Sequence, residues 1–333
     1  MNKNMYRFGV AVQPGSAAVA PVVASGATAD SPGIDAAVSS ESTRMTIGKR
    51  DTTIGRYATE TAATAQVQTI ALADVLGLLA YAALGSDEVS GTAAPYTHSI
   101  KLGESLPKLT WTEQKGATDA PVQQMTGCVV DNLTIDARST APVDVSVTVA
   151  GTSPTWAAGA WSGADTDLTD GWYTAAGCEV LFSPNSGTPA APGEGIVLST
   201  AQVAIANNVS AQTALGSPDP VRQTEGSATV TASLTGTTDS TELYRIVKTG
   251  SASGTELSRE TVTGSLQITF PHTTDANRSL VIKMMSVPWT IEAMNVSPDG
   301  GPFDLSLSTE GAITVDGTSV EILIDTPTAS YAS

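Results

Sequence analysis

From Cys128 to Val149 the chain alternates apolar and polar residues with a period of two, which narrows the possible folds more than any other feature. In CVVDNLTIDA, Val129, Leu133, Ile135 and Ala137 fall on one side and Asn132, Thr134 and Asp136 on the other. After Arg138-Ser139-Thr140-Ala141-Pro142 the pattern resumes, with Val143, Val145, Val147 and Val149 interleaved with Asp144, Ser146 and Thr148. Successive strand residues point to opposite faces, so this spacing makes one dry face and one wet face. The five-residue link suits a hairpin or an open corner between neighbouring strands. The texture recurs downstream. Val203 and Ile205, then Val230, Ala232 and Leu234, then Leu305 and Leu307 each alternate with small or polar partners, among them Thr229 and Thr231. The reading is a mainly β chain, folded as a sandwich or barrel, whose wet faces carry hydroxyls and carboxylates.

One segment breaks the pattern. Leu72, Val75, Leu76, Leu79 and Ala83 follow helical spacing, Asp74 lies in the first turn, and Gly85 is placed for a left-handed cap. Leu78 and Tyr81 add a second apolar face, so little of this helix should be wet. Gly77 costs up to about 1 kcal/mol relative to Ala, so packing must hold the helix, either over a sheet or against a neighbouring copy. A shorter helix is predicted over Thr241 to Lys248, capped by Asp239 or Ser240. No apolar run approaches the roughly 18 residues of a bilayer span.

The net charge of −17 makes stable attachment to nucleic-acid phosphate or an anionic membrane unfavourable. Cys128 and Cys178 neither form a disulfide framework nor belong to a C-x-x-C pair. His98 follows Pro95-Tyr96-Thr97 and His272 follows Pro271, and both read as structural. Metalloprotease, nucleophile-elbow, phosphate-loop and dinucleotide motifs are absent. No catalytic residue, metal or cofactor is expected, and the chain is not read as an enzyme.

Residues 1–43 are poor in bulky apolar groups and are expected to be a flexible N-terminal arm, a loose tail or one ordered against a neighbour. Only Tyr6 to Val12 resembles a strand. Residues 44–333 form the β domain, with an insertion near 152–176 containing Trp156, Trp161, Trp172 and Tyr173. Aromatics there either anchor contacts or, the preferred reading, lid the edge of the core. Arg44, Lys49, Arg50 and Arg56 are a quarter of all basic residues, gathered on two strand-like pieces around one loop. In an acidic protein such a loop serves an acidic surface on another copy or is a solvated turn.

The order of these parts resembles the major tail tube proteins of siphovirus-type bacteriophages. The series begins with STRMTIGKRDTTIGRYATETA, the helix ending AALG, YTHSIKLGESLPKLTWTEQ and GCVVDNLTID. It continues with AQVAIANNVS, DPVRQTEGSATVTASLTGTTDSTELYRIVKTG and the strands ending SVEILID. The insertion departs from the common pattern. The resemblance implies a β-sandwich tail-tube fold with one main flanking helix and extended arms. It implies rings of six copies, stacked along a virion tail assembled in the host cytoplasm, with one sheet of each copy joining an inner barrel. The implied partners are sister copies, a tape-measure protein, tail-terminator and baseplate or tip proteins, and double-stranded DNA in transit. In that frame Thr134, Asp136, Asp144, Thr148, Thr229 and Thr231 are candidates for the lumen wall, an outer face being the alternative. Arg44, Lys49, Arg50 and Arg56 are candidates for ring-to-ring contacts. A non-tubular virion decoration, fibre or cell-surface β module is the other reading.

Overall fold

A computed structural model of the chain describes residues 5–14, 23–26, 32–44, 53–116, 120–157, 170–292, 301–309, 311–315 and 317–331. The first strands are β1 (Met5–Val12), β2 (Val23–Gly26), β3 (Gly33–Arg44) and β4 (Thr53–Ile70). Helix α1 (Ala73–Leu84) leads into β5 (Gly85–Ser90), β6 (Tyr96–Leu102), β7 (Leu109–Gly116), β8 (Val122–Arg138) and β9 (Asp144–Gly151). Then come β10 (Thr155–Ala157), β11 (Glu179–Ser183), β12 (Ile196–Ala206), β13 (Ser210–Ala214), β14 (Ser217–Thr224) and β15 (Thr229–Thr238). Helix α2 (Glu242–Thr249), β16 (Thr263–Pro271), β17 (Ser279–Ile291), β18 (Phe303–Thr309) and β19 (Glu321–Thr326) complete the order. The fold is mainly β, as the alternation predicts.

The pairing is antiparallel throughout. The main sheet runs β3-β4-β9-β8-β12-β15-β18 and ends on Trp289–Ile291 of β17. A second sheet runs β2-β1-β7-β8-β10, and a third runs β11-β16-β17-β19-β6-β5. The long strands β8 and β17 each belong to two sheets, turning the layers toward one another and closing a core between them. Leu133, Ile135, Val145, Val147, Val203, Ile205, Val230 and Leu234 of the main sheet are buried there.

Helix α1 lies within this enclosure, touching β8, β19, β6, β5 and β2. Every residue of it except Asp74 is buried, so its partners are the chain's own sheets. Gly85 ends it with φ +91°, and the Gly85 N–H bonds the Tyr81 carbonyl. The absence of a Cβ at Gly77 has a packing reason: the atom would lie 2.1 Å from the Tyr331 hydroxyl. The N-cap of α2 is Thr241 in place of the predicted Asp239 or Ser240, and Ser240 Oγ, one residue earlier, accepts the Glu242 N–H at 3.1 Å.

One segment needs placing and one reading needs correcting. Met5–Val12, inside the segment expected to be a flexible arm, is a strand between β2 and β7. Its Phe8 is 1% exposed and stacks on Trp111 at 5.4 Å between ring centroids. Val129 does not share a side with Leu133. A β-bulge around Asp131 inserts one residue, so Val130 pairs with Val149 on the dry side while Val129 pairs with Ala150. Both valines are fully buried; β14 packs over this end of the main sheet and touches β4, β8 and β9.

Candidate functional site

The six wet-face candidates lie on one face of one sheet. Three rows of directly paired residues cross β9, β8, β12 and β15: Thr148–Asn132–Ala206–Thr229, Ser146–Thr134–Ala204–Thr231 and Asp144–Asp136–Gln202–Ser233. Gln66 and Gln68 of β4 extend the first two rows, and Ser308 of β18 extends the third. None of the six is buried. Five of them lie between neighbours whose side chains enter the core and Thr229 directly precedes the core residue Val230, so the alternation of these strands points the polar partners the same way.

The regularly paired positions of this face between β4 and β18 carry Asp136, Asp144 and Asp304 against one cation, Arg138. Asp136 and Asp144 stand directly opposite, an arrangement of like charges that works against pairing. Arg138 relieves it, with Nη2 3.0 Å and Nε 3.1 Å from Asp136 Oδ2. The surface is therefore hydroxyl, amide and carboxylate, and its one guanidinium is already engaged by its own chain.

Two hairpins leave the sheet at the same end. Pairing of β4 with β9 stops at Ala63↔Gly151, yet β3 and β4 continue together to Arg44↔Thr53. That leaves ten residues of β4, 53–62, as a two-stranded projection of up to about 33 Å at roughly 3.3 Å per residue. Arg44 ends one strand, and Arg56 lies opposite Ser42 on the pair. Two of the four basic candidates are thus brought onto one projecting ribbon, while Lys49 and Arg50 lie outside the described residues. The second hairpin, β13–β14, folds beside the first. Asp219 accepts hydrogen bonds from Thr61 and Ser153, Gln223 Nε2 donates to the Gly151 carbonyl at 2.8 Å, and Asp131 accepts the Val209 N–H at 2.8 Å. At the opposite end of the sheet stand Asp144, Asp239, Asp304, Glu194 and Glu242.

A profile of the phage tail tube protein family matches residues 8–322. The chain belongs to the phage tail tube protein family. No curated protein matches it. The family is structural, and as a tail tube protein the chain is a homo-oligomeric component of the virion tail. Among the described residues no group of three or more His, Cys, Asp or Glu is placed to hold a metal, and no helix is long and apolar enough to cross a membrane.

The ionisable groups away from the wet face tie this tail tube protein together. His98 is buried with Nδ1 3.0 Å from the Asp87 carboxylate and Nε2 2.8 Å from the Thr328 carbonyl. Only imidazolium offers a donor to both acceptors. Burial opposes the charge, but the bonds to Asp87 and Thr328 and the nearby carboxylates prevail, and the pKa is raised. Thr328 Oγ1 also donates to Asp74 at 2.8 Å, and burial raises the Asp74 carboxyl. The C-terminal segment is thereby fastened to the start of α1. Cys128 is fully buried, which pushes its thiol up to about 12, and both cysteines are free. The aromatic insertion divides. Tyr173 is buried and its hydroxyl donates to the Asp325 carbonyl at 2.9 Å, Trp172 is half-buried, and Trp156 is exposed. Trp161 lies outside the described residues. What the sequence reading missed is an exposed leucine, Leu215, at the turn of β13–β14; its one signal is a large apolar residue inside TALGSPD.

Proposed function

We propose that the wet face of the main sheet lines the bore of a tube of stacked hexameric rings, which houses a tape-measure protein during assembly and then conducts double-stranded DNA. The observation that carries this reading is the composition of the face over four adjacent strands. Thr134, Thr148, Thr229 and Thr231 supply neutral hydroxyls, Asp136 and Asp144 supply negative charge, and Arg138 is held by Asp136. DNA adheres to protein chiefly through cations that displace its counterions. A wall without such cations gives phosphate no site at which to dwell, and its carboxylates repel within the Debye length of about 8 Å. The tube is that of a siphovirus-type phage, assembled in the host cytoplasm, with tail-terminator and tip proteins at its ends.

The same reading gives the sheet borders a use. Among the described residues β3 pairs only with β4, and the last rung at the other border is the short Trp289–Ile291 segment. Open borders invite pairing with another chain unless something covers them, and closure of a ring supplies that cover. The β3–β4 ribbon extends from one end of the subunit toward the next ring, and Arg44, Lys49, Arg50 and Arg56 supply contacts between the rings. Cryo-electron microscopy of concentrated purified protein tests the proposal. Hollow tubes with Thr134 and Thr231 facing the axis are expected; solid fibres, monomers or a bore lined by the opposite side of the subunit would defeat it.

A further inference from the structure

Leu215 lies at the turn between β13 and β14 and is fully exposed. Beside it Gly216 has φ +88°, and a Cβ built there would meet nothing within 4 Å, so the turn stands in open space. The hairpin behind it is held in place. Asp131, Gln223 and Asp219 fasten it to the sheet through Val209, Gly151, Ser153 and Thr61. A large apolar side chain on a pre-positioned tip is a preformed anchor, because little ordering entropy is lost when it is buried.

The hairpin springs from one end of the β12–β15 pair, and the opposite end of that pair holds a cavity. β12 begins and β15 ends beside a pocket of about 350 Å³ lined by Phe182, Ala191, Pro192, Ile196, Leu243 and Ile246. Glu194 and Glu242 also line it. On the hairpin, Arg222 is exposed two rungs behind the turn, opposite Gln212, whose side-chain oxygen accepts its Nε–H at 2.7 Å. Knob and cavity lie beyond opposite ends of β12, whose eleven residues alone span about 36 Å at roughly 3.3 Å per residue. A copy translated along the strands brings one to the other.

We infer that Leu215 of one copy inserts into this pocket on the next copy along the tube, with Arg222 facing Glu194 and Glu242. The contact is heterologous: each subunit offers its knob to one neighbour and its pocket to the other, so the contact repeats without closing. The inference rests on the tube reading above and adds to it the side chains that join successive rings.

The test uses the full chain with Leu215→Cys and Ala191→Cys, together with Cys178→Ser to remove the half-exposed native thiol. Oxidation of assembled tubes should give a ladder of disulfide-linked species extending beyond six copies on a non-reducing gel, and neither single-cysteine variant should give one. Leu215→Glu should raise the concentration needed for tube formation at least tenfold, with the circular dichroism of the subunit unchanged because the side chain is exposed. Tubes that form normally with Leu215→Glu and show no ladder overturn this contact and leave the tube reading standing. A wild-type chain that forms no tubes under any condition overturns both.

Discussion

Gly77→Ala should change sign with the residue at position 331. In an exposed helix interior the substitution is worth about 0.8–1.0 kcal/mol in favour of Ala. Here the added Cβ would sit 2.1 Å from the Tyr331 hydroxyl and 2.6 Å from Cζ. The ring has no room to yield, being 5% exposed, 4.6 Å from His98 between centroids, and bonded through its hydroxyl to Thr326 Oγ1 at 3.1 Å. Overpacking of this kind costs about 1–3 kcal/mol, so the net effect in the wild-type background is a loss of roughly 0–2 kcal/mol. Tyr331→Ala alone should cost about 3–5 kcal/mol, as large aromatic truncations do. In that background Gly77→Ala should stabilise by about 1 kcal/mol, giving a coupling of roughly 1–3 kcal/mol, within the range for residues in contact. Urea denaturation of the unassembled subunit, followed by tryptophan fluorescence, measures all four corners of the cycle. Equal stabilisation by Gly77→Ala in both backgrounds would refute the packing argument and leave the glycine without a structural reason.

His98 predicts a pH dependence of known sign. Asp87 from β5, Asp74 from α1, and Thr328 and Tyr331 from the C-terminal segment face it, with Tyr81 of α1 near Asp87. With its pKa raised, the stability it contributes is fully present below the unfolded value of about 6.5 and is lost as the pH rises through the folded value. His98→Gln should remove that slope from the urea midpoint. His272, lowered first by burial and then by Arg278, is common to both proteins and drops out of the difference; parallel pH profiles would dismiss the imidazolium. Phe8→Ala should destabilise the subunit by about 3–5 kcal/mol in the same assay, whereas an unchanged midpoint would make β1 a dispensable arm after all. Phage carrying Thr134→Lys with Thr231→Lys should release DNA more slowly, the delay shrinking as salt rises because log K falls by roughly 0.9 per phosphate engaged for each tenfold rise in salt. A release rate identical to wild type would put these residues away from the DNA path.

The main sheet was legible because β8, β9, β12 and β15 alternate, and the six wet-face residues fall together because five lie between core neighbours on β8, β9 or β15 and Thr229 directly precedes core Val230. Where alternation failed, it failed for a physical reason. Val129 and Val130 are both apolar, so nothing in CVVDN marks the residue that the bulge around Asp131 inserts. β1 was visible as Tyr6 to Val12, but its membership in the body was not, because the ring that receives Phe8 belongs to Trp111, a hundred residues away. Gly85 announced the end of α1. What encloses the helix on all sides is long-range pairing through β8 and β19, which no local window contains. Leu215 and its pocket are a property of two distant surfaces. A sequence names the residues of such surfaces without saying that they sit at opposite ends of one strand pair.

That both hairpins emerge from one end, while Glu194, Glu242, Asp239 and Asp304 gather at the other, has a consequence for any filament made of this chain. Its two ends are structurally unlike, one carrying the hairpins β3–β4 and β13–β14 and the other the pocket beside β12 and β15. A surface shaped to one end therefore finds no equivalent at the other, and such a filament has a direction.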